Sequence, residues 1–137
     1  MRIKEKEFIN NHEVAHLSTV DENGNPHIVP IVYAYDGDVI YTPIDSKPKK
    51  REGTEIQRVK NIRYNSSVSV VIDDYSENWD KLSWVQIRGN AELTTEGPIF
   101  GKGVDLIINK YPQYSKMNLD INMIIVINPT KIVSWRV

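Results

Sequence analysis

His12-Glu13-Val14-Ala15-His16 is the first stretch of the chain whose residue types could do chemistry. It matches the H-E-x-x-H pattern, in which two histidines one helical turn apart hold zinc and the glutamate acts as general base. That chemistry needs both histidines on one face of a long helix, with a third ligand nearby. The context opposes it. The segment runs into Leu17-Ser18-Thr19-Val20, which alternates like a strand. On a strand, His12 and His16 would stand about 13 Å apart, too far for one ion. The extended pattern also fails, because Thr19 and Glu22 stand where glycine and histidine are required. Two histidines at a helix–strand junction are expected, and no metal.

A second candidate is basic. Lys47, Lys49, Lys50, Arg51, Arg58, Lys60 and Arg63 face only Glu52 and Glu55 in the same stretch, 7 − 2 = +5, and the remainder carries 10 − 16 = −6. A local positive site on an acidic body suits a small anion better than a long nucleic acid. Ser46-Lys47-Pro48-Lys49 could clamp a phosphate near a helix N-terminus. A solvated basic loop accounts equally well for the charge. Few aromatics interleave these residues, which disfavours a nucleic-acid partner. Gly101-Lys102-Gly103 lacks a preceding strand and the third glycine of a dinucleotide fingerprint. Asp73, Asp74, Glu77 and Asp80 read as a solvated acidic loop. The chain has no cysteine, which excludes disulfides and thiolate chemistry.

The elements that must position these groups fit one domain, residues 1–137. Residues 4–12 read as a short helix and 14–20 as a strand. The cluster Asp21 to Pro26 is a turn, a strand runs from about His27 to Tyr35, and Asp36-Gly37-Asp38 turns into a strand over 39–43. Thr54 and Gln57 have capping-box spacing, and Ile56, Val59 and Ile62 would face the core. Strands follow over 67–73 and 82–93. A helix over 98–111 stops at Pro112, and two strands, 121–127 and 130–137, flank Asn128-Pro129. Along 82–93, Val85, Ile87, Gly89, Ala91 and Leu93 form a core face. Trp84, Gln86, Arg88 and Asn90 form the other, suited to a polar pocket or a subunit interface. The expected fold is mainly β (α+β), an antiparallel split β-barrel of about six to seven strands with two to three helices. No signal core or membrane span is legible, so a cytoplasmic location and no membrane partner are expected.

Several stretches together resemble one family: Ala15 to Val20, Gly24 to Val32, Asp36 to Thr42, and Ser46-Lys47-Pro48-Lys49. Asp74 to Trp79 with Leu82-Ser83-Trp84-Val85, Arg88-Gly89, and Tyr111-Pro112-Gln113-Tyr114 follow in order. The chain resembles the pyridoxamine 5'-phosphate oxidase-like FMN-binding split-barrel proteins, in particular the small deazaflavin (coenzyme F-420)-dependent branch. The resemblance spans nearly the whole chain. It implies a homodimer with a flavin-type cofactor in a groove between subunits. By position, it implies that Tyr41, Thr42, Ser46, Lys47 and Lys49 meet the phosphate and ribityl part. Val29, Pro30 and Ile31 would line the ring with backbone, and Trp84 would sit near the ring or the partner. Asn65-Ser66 stands where relatives carry Asn-Pro, a turn variant.

The function expected is therefore an oxidoreductase that binds F-420 or FMN and moves hydride to or from a small organic substrate. The alternative is a non-catalytic module that stores or senses flavin. Some members of the superfamily bind haem. Tyr33, Tyr41 and Tyr111 are the candidate proton donors.

Overall fold

The computed structural model describes residues 3–45 and 55–137. In chain order the elements are α1 (Ile3–Asn10), β1 (Ala15–Val20), β2 (Pro26–Ile31), β3 (Ala34–Tyr35) and β4 (Ile40–Asp45). Then come α2 (Gln57–Tyr64), β5 (Ser67–Asp74), a 3-10 turn (Trp79–Lys81) and β6 (Ser83–Thr94). The chain continues through α3 (Pro98–Lys110), α4 (Gln113–Lys116) and β7 (Ile121–Trp135). The seven strands make one antiparallel sheet in the order β2-β1-β5-β6-β7-β4-β3. Its two edge strands, β2 and β3, are consecutive in the chain and separated only by Val32 and Tyr33. A sheet whose opposite edges are joined by two residues must curl on itself. The result is a barrel left split where β2 gives way to β3.

Local chemistry explains the turns. The Asp21 carboxylate accepts from the backbone N–H groups of Asn23 and Asn25, both at 2.9 Å, and Gly24 takes a φ of 82°. Asp36 does the same for Asp38 and Val39 beside Gly37, whose φ is 99°. Both glycines occupy backbone space that costs other residues strain.

The core lies inside the curl. Leu17, Ile31, Ile40, Val70, Ile72, Val85, Ile87, Ile125 and Ile127 are buried there, on alternate residues of their strands. Val59 and Ile62 of α2 are buried against it, as their spacing predicts, and Ile56 packs at its margin. Asn61 lies between them. Its amide donates to Thr19 Oγ1 at 2.9 Å and accepts from Gln57 at 2.7 Å, so this buried polar group is satisfied.

The structure corrects four readings. The strand expected over 27–35 is broken at Val32-Tyr33. The helix expected from Thr54 starts at Gln57, after an extended Ile56 with no side-chain cap; Thr54 lies outside the described residues. A short fourth helix, α4, follows Pro112, where the chain was expected to leave helix. The two strands expected around Asn128-Pro129 are one strand, β7. Arg88 pairs with Lys131 but Gly89 with Pro129, so Thr130 is the extra residue of a bulge. A Cβ on Gly89 would lie 2.4 Å from the Asn128 carbonyl oxygen. The missing side chain lets the two backbones approach, and the strand continues through the proline.

Candidate pocket at the split of the barrel

The split is held open by a side chain. At Val32-Tyr33 the backbone leaves the ladder, so its polar groups need other partners. The Tyr33 N–H donates to Tyr111 Oη at 3.1 Å, and that hydroxyl lies 3.0 Å from the Tyr33 carbonyl and 2.7 Å from the Glu13 carbonyl. Thr42 Oγ1 donates to the Val32 carbonyl at 2.9 Å. Burial pushes the Tyr111 phenol up to about 12.

Beside the split lies a cavity of about 660 Å³. One wall is Pro30, Ile31 and Val32, and a second is Thr42, Pro43 and Asp45. Arg58 enters from α2. Tyr111, Gln113, Tyr114, Met117 and Leu119 close the far side, with Glu13 and Val14 at one end. Tyr114 Oη donates to Asp45 Oδ1 at 2.8 Å, and burial, then Asp45, raises its pKa. The Arg58 guanidinium is held below its ordinary value by burial, opposed by the attraction of Asp45. Its Nε is buried and meets no acceptor among the described residues. A buried donor without a partner is costly, and a ligand acceptor would satisfy it. Arg58 belonged to the +5 segment, but charge alone did not single it out from its neighbours. Asp45 carried no local signal, Tyr114 stood in the Tyr-Pro-Gln-Tyr run, and Glu13 was read only as the general base of a zinc motif.

Of the nine residues expected to meet a cofactor, Pro30, Ile31 and Thr42 line this cavity. Thr42's own proton is used on Val32. Val29 packs against the core instead. Tyr41 is buried under α3, where its hydroxyl donates to Asp36 at 2.9 Å. Trp84 lies on the outer face of the sheet, paired with Asp73 on one side and Trp135 on the other. Ser46, Lys47 and Lys49 lie outside the described residues. Two of the three candidate proton donors, Tyr33 and Tyr41, stand away from the cavity. Tyr33 Oη donates to the Ile9 carbonyl.

Other motifs find structural roles. His12 lies beyond the end of α1, with Nδ1 2.6 Å from the Phe8 carbonyl and Nε2 3.0 Å from Asp74; His16 lies on β1. Among the described residues no group of three or more His, Asp or Glu is placed to hold a metal. Gly103 is where α3 crosses Tyr41: a Cβ there would sit 2.9 Å from the Tyr41 ring. Lys102 pairs with Asp36 at 2.9 Å. The glycine signal is therefore helix–sheet packing. No helix among the described residues is long and apolar enough to cross a membrane.

A curled antiparallel sheet with its cavity at the split defines the FMN-binding split-barrel class of fold. The family model described as Pyridoxamine 5'-phosphate oxidase matches residues 1–136, and the chain belongs to that family. Among solved structures, a conserved hypothetical protein from Mycobacterium tuberculosis is similar over 98% of this chain and 84% of its own, at 24% identity and a TM-score of 0.75. An F-420 reductase is similar over 93% and 94%, at 23% identity and a TM-score of 0.64. HutZ, a heme storage protein from Vibrio cholerae, is similar over 98% and 94%, at 12% identity and a TM-score of 0.74. No curated protein matches the sequence.

Proposed function

We propose that this chain is an oxidoreductase that binds F-420 or FMN at the split and acts on a small organic substrate. The observation that carries the reading is Arg58: a buried guanidinium donor, unsatisfied among the described residues, on the wall of the mainly apolar cavity at the split. It fits the phosphate-bearing end of such a cofactor. Lys47 and Lys49 belong to the segment that follows Asp45 and precedes α2, both of which contribute to the cavity. They would add charge, and Ser46 a hydroxyl, for the same phosphate. Pro30, Ile31 and Val32 would offer backbone and apolar surface to the ring. When bound, the cofactor supplies hydride transfer, and the protein supplies binding, orientation and charge.

A second copy of the chain fits the outer face of the sheet. Ile28 there is 63% exposed and Trp135 49%, with Pro30, Val71, Trp84 and Val133 on the same side. Arg88 and Lys131 stand directly opposite each other on this face, a destabilising arrangement, while Asp73 stands at its other end beside Trp84. A two-fold pairing would bring the basic end of one copy toward the acidic end of the other and cover the indoles.

The test is titration of purified protein with FMN and with F-420, followed by absorbance. Arg58→Met, Lys47→Ala and Lys49→Ala should each weaken binding about ten- to a hundredfold, the worth of one charge-assisted hydrogen bond. Binding of neither cofactor, or unchanged affinity in all three variants, sinks the reading. Tight binding without reduction or reoxidation of the bound cofactor by any small organic substrate favours a storage or sensing module instead.

A further inference from the structure

One carboxylate of the cavity has its place fixed by another cavity residue. Asp45 closes β4, three residues beyond Thr42 and so roughly 10 Å further along the strand. It follows a bulge: Ile44 pairs with Met123 but Asp45 with Ile121, so Asn122 is the extra residue opposite. Bulges re-aim the side chains beside them. Tyr114 Oη, itself buried on the cavity wall, donates to Asp45 Oδ1 at 2.8 Å and holds the carboxylate on the cavity. Thr42 marks the other end of the same wall, because its hydroxyl is bonded to the Val32 carbonyl, next to Pro30 and Ile31. Arg58 also lines the cavity and is close enough to feel the Asp45 charge.

The two charged groups ask a ligand for opposite things. A guanidinium only donates and an ionised carboxylate only accepts. The carboxylate offers about four acceptor positions, of which Tyr114 takes one. A bare anion that suits Arg58 gains nothing from Asp45 and is repelled by it. A ligand that joins an anionic group to a chain of hydroxyls suits both. We infer that Asp45 is the specificity residue for a polyol chain, accepting hydrogen bonds from hydroxyls that lie between the ligand's ring and its phosphate. The site then prefers a hydroxylated phosphate ester to a ring or a phosphate alone. The inference rests on the proposed cofactor reading, since FMN and F-420 both carry such a chain between ring and phosphate.

Three flavins separate the contributions. Lumiflavin has the ring alone, riboflavin adds the polyol chain, and FMN adds the phosphate. Each is titrated into the purified protein, and quenching of flavin fluorescence is read. Wild type should bind riboflavin about tenfold or more tightly than lumiflavin, the worth of one charge-assisted hydrogen bond. Asp45→Ala should cut that ratio to within about threefold, while the FMN-to-riboflavin ratio stays or rises, because a negative charge near Arg58 is gone. Arg58→Met should do the reverse. Equal wild-type affinity for riboflavin and lumiflavin overturns the inference, as does a ratio that Asp45→Ala leaves unchanged. A fall in the FMN-to-riboflavin ratio in that variant also overturns it, since Asp45 would then act by supporting Arg58. If Asp45→Ala loses the wild-type circular dichroism, Asp45→Asn carries the measurement and should cut the riboflavin-to-lumiflavin ratio about threefold or more. If the protein takes F-420 and not FMN, the corresponding deazaflavin ring, polyol and phosphate forms replace the three flavins. If neither cofactor binds, the oxidoreductase reading falls and this inference falls with it. If a cofactor binds and the polyol preference ignores Asp45, only the inference is lost.

Discussion

Replacing Tyr111 with phenylalanine isolates the hydroxyl that holds the split. The ring is 4% exposed and its bulk is kept, so no cavity is made. The hydroxyl has one proton, which can go to either the Glu13 or the Tyr33 carbonyl but not to both at once, and it accepts from the Tyr33 N–H. The substitution therefore removes two hydrogen bonds at any instant and leaves a buried N–H without its partner. Each net bond is worth roughly 1 kcal/mol, and an unsatisfied buried donor costs about 1–3 kcal/mol. The expected loss is about 2–3 kcal/mol, or a fall in Tm of roughly 8–12 °C for a domain of this size. Urea unfolding of both proteins measures the first, and hydrogen exchange locates it. Tyr33 should lose protection, while amides in β5 and β6 should fall only by the global change. Cofactor affinity should fall as well, because Val32 loses its fixed position on the cavity wall. A loss below about 0.5 kcal/mol, with the Tyr33 amide as protected as before, would refute the account of the split given above.

Gly89→Ala should destabilise by more than about 2 kcal/mol, because its Cβ would meet the Asn128 carbonyl oxygen at 2.4 Å; stability within 0.5 kcal/mol of wild type in denaturant unfolding would show that β7 can shift cheaply. Stability should depend on alkaline pH in two opposed ways. Burial lowers Lys110 to about 8, so folding gains as pH rises from there toward the unfolded value of 10.5. Burial also raises Tyr35 and Tyr111 from 10.0 to about 12, so their contribution, whole below 10, is lost between 10 and 12. Urea midpoints should thus peak near pH 10 and fall from there through pH 12, with the likewise raised Tyr33 and Tyr114 adding to the fall, and a midpoint still rising at pH 11 would contradict the assignment. Trp135→Arg should turn the proposed dimer into a monomer by light scattering at micromolar concentration, and a wild-type protein that is already monomeric there with cofactor present would remove the outer-face reading.

What the sequence made legible follows from the range of the interactions involved. The alternation of Val85, Ile87, Gly89 and Ala91 is a local pattern, and it identified the buried face of β6. Turn chemistry at Asp21 to Gly24 and at Asp36-Gly37 is equally local. The break at Val32-Tyr33 was not legible, since Ile31, Val32 and Tyr33 all favour strand and the one breaker, Pro30, stands inside β2 before the break. Its cause is a tyrosine 78 positions away. The bulge in β7 was hidden for a similar reason: Pro129 reads as a strand breaker until Gly89 is seen opposite it. Among the site residues, Pro30, Ile31 and Thr42 were reached through resemblance, whereas Arg58 and Glu13 needed the fold. The arginine was one of seven cations in a run, and its buried Nε on the cavity wall is visible only in the fold. Glu13 was noticed as the centre of a zinc motif, a role that the end of α1 at Asn10 and the start of β1 at Ala15 take away.

The pairing of β4 with β7 carries a consequence for how the protein is made. Residues 40–45 find their long partner only in residues 121–127, while β3 offers them two residues. During synthesis the Thr42-Pro43-Asp45 wall therefore waits, unpaired, while about eighty more residues are added, and it forms last of the cavity's strands. Until β7 has left the ribosome, this apolar strand presents open backbone to the cell, and the nascent chain has no binding site. Ligand added to ribosome-stalled chains ending before Ile121 should find nothing to hold.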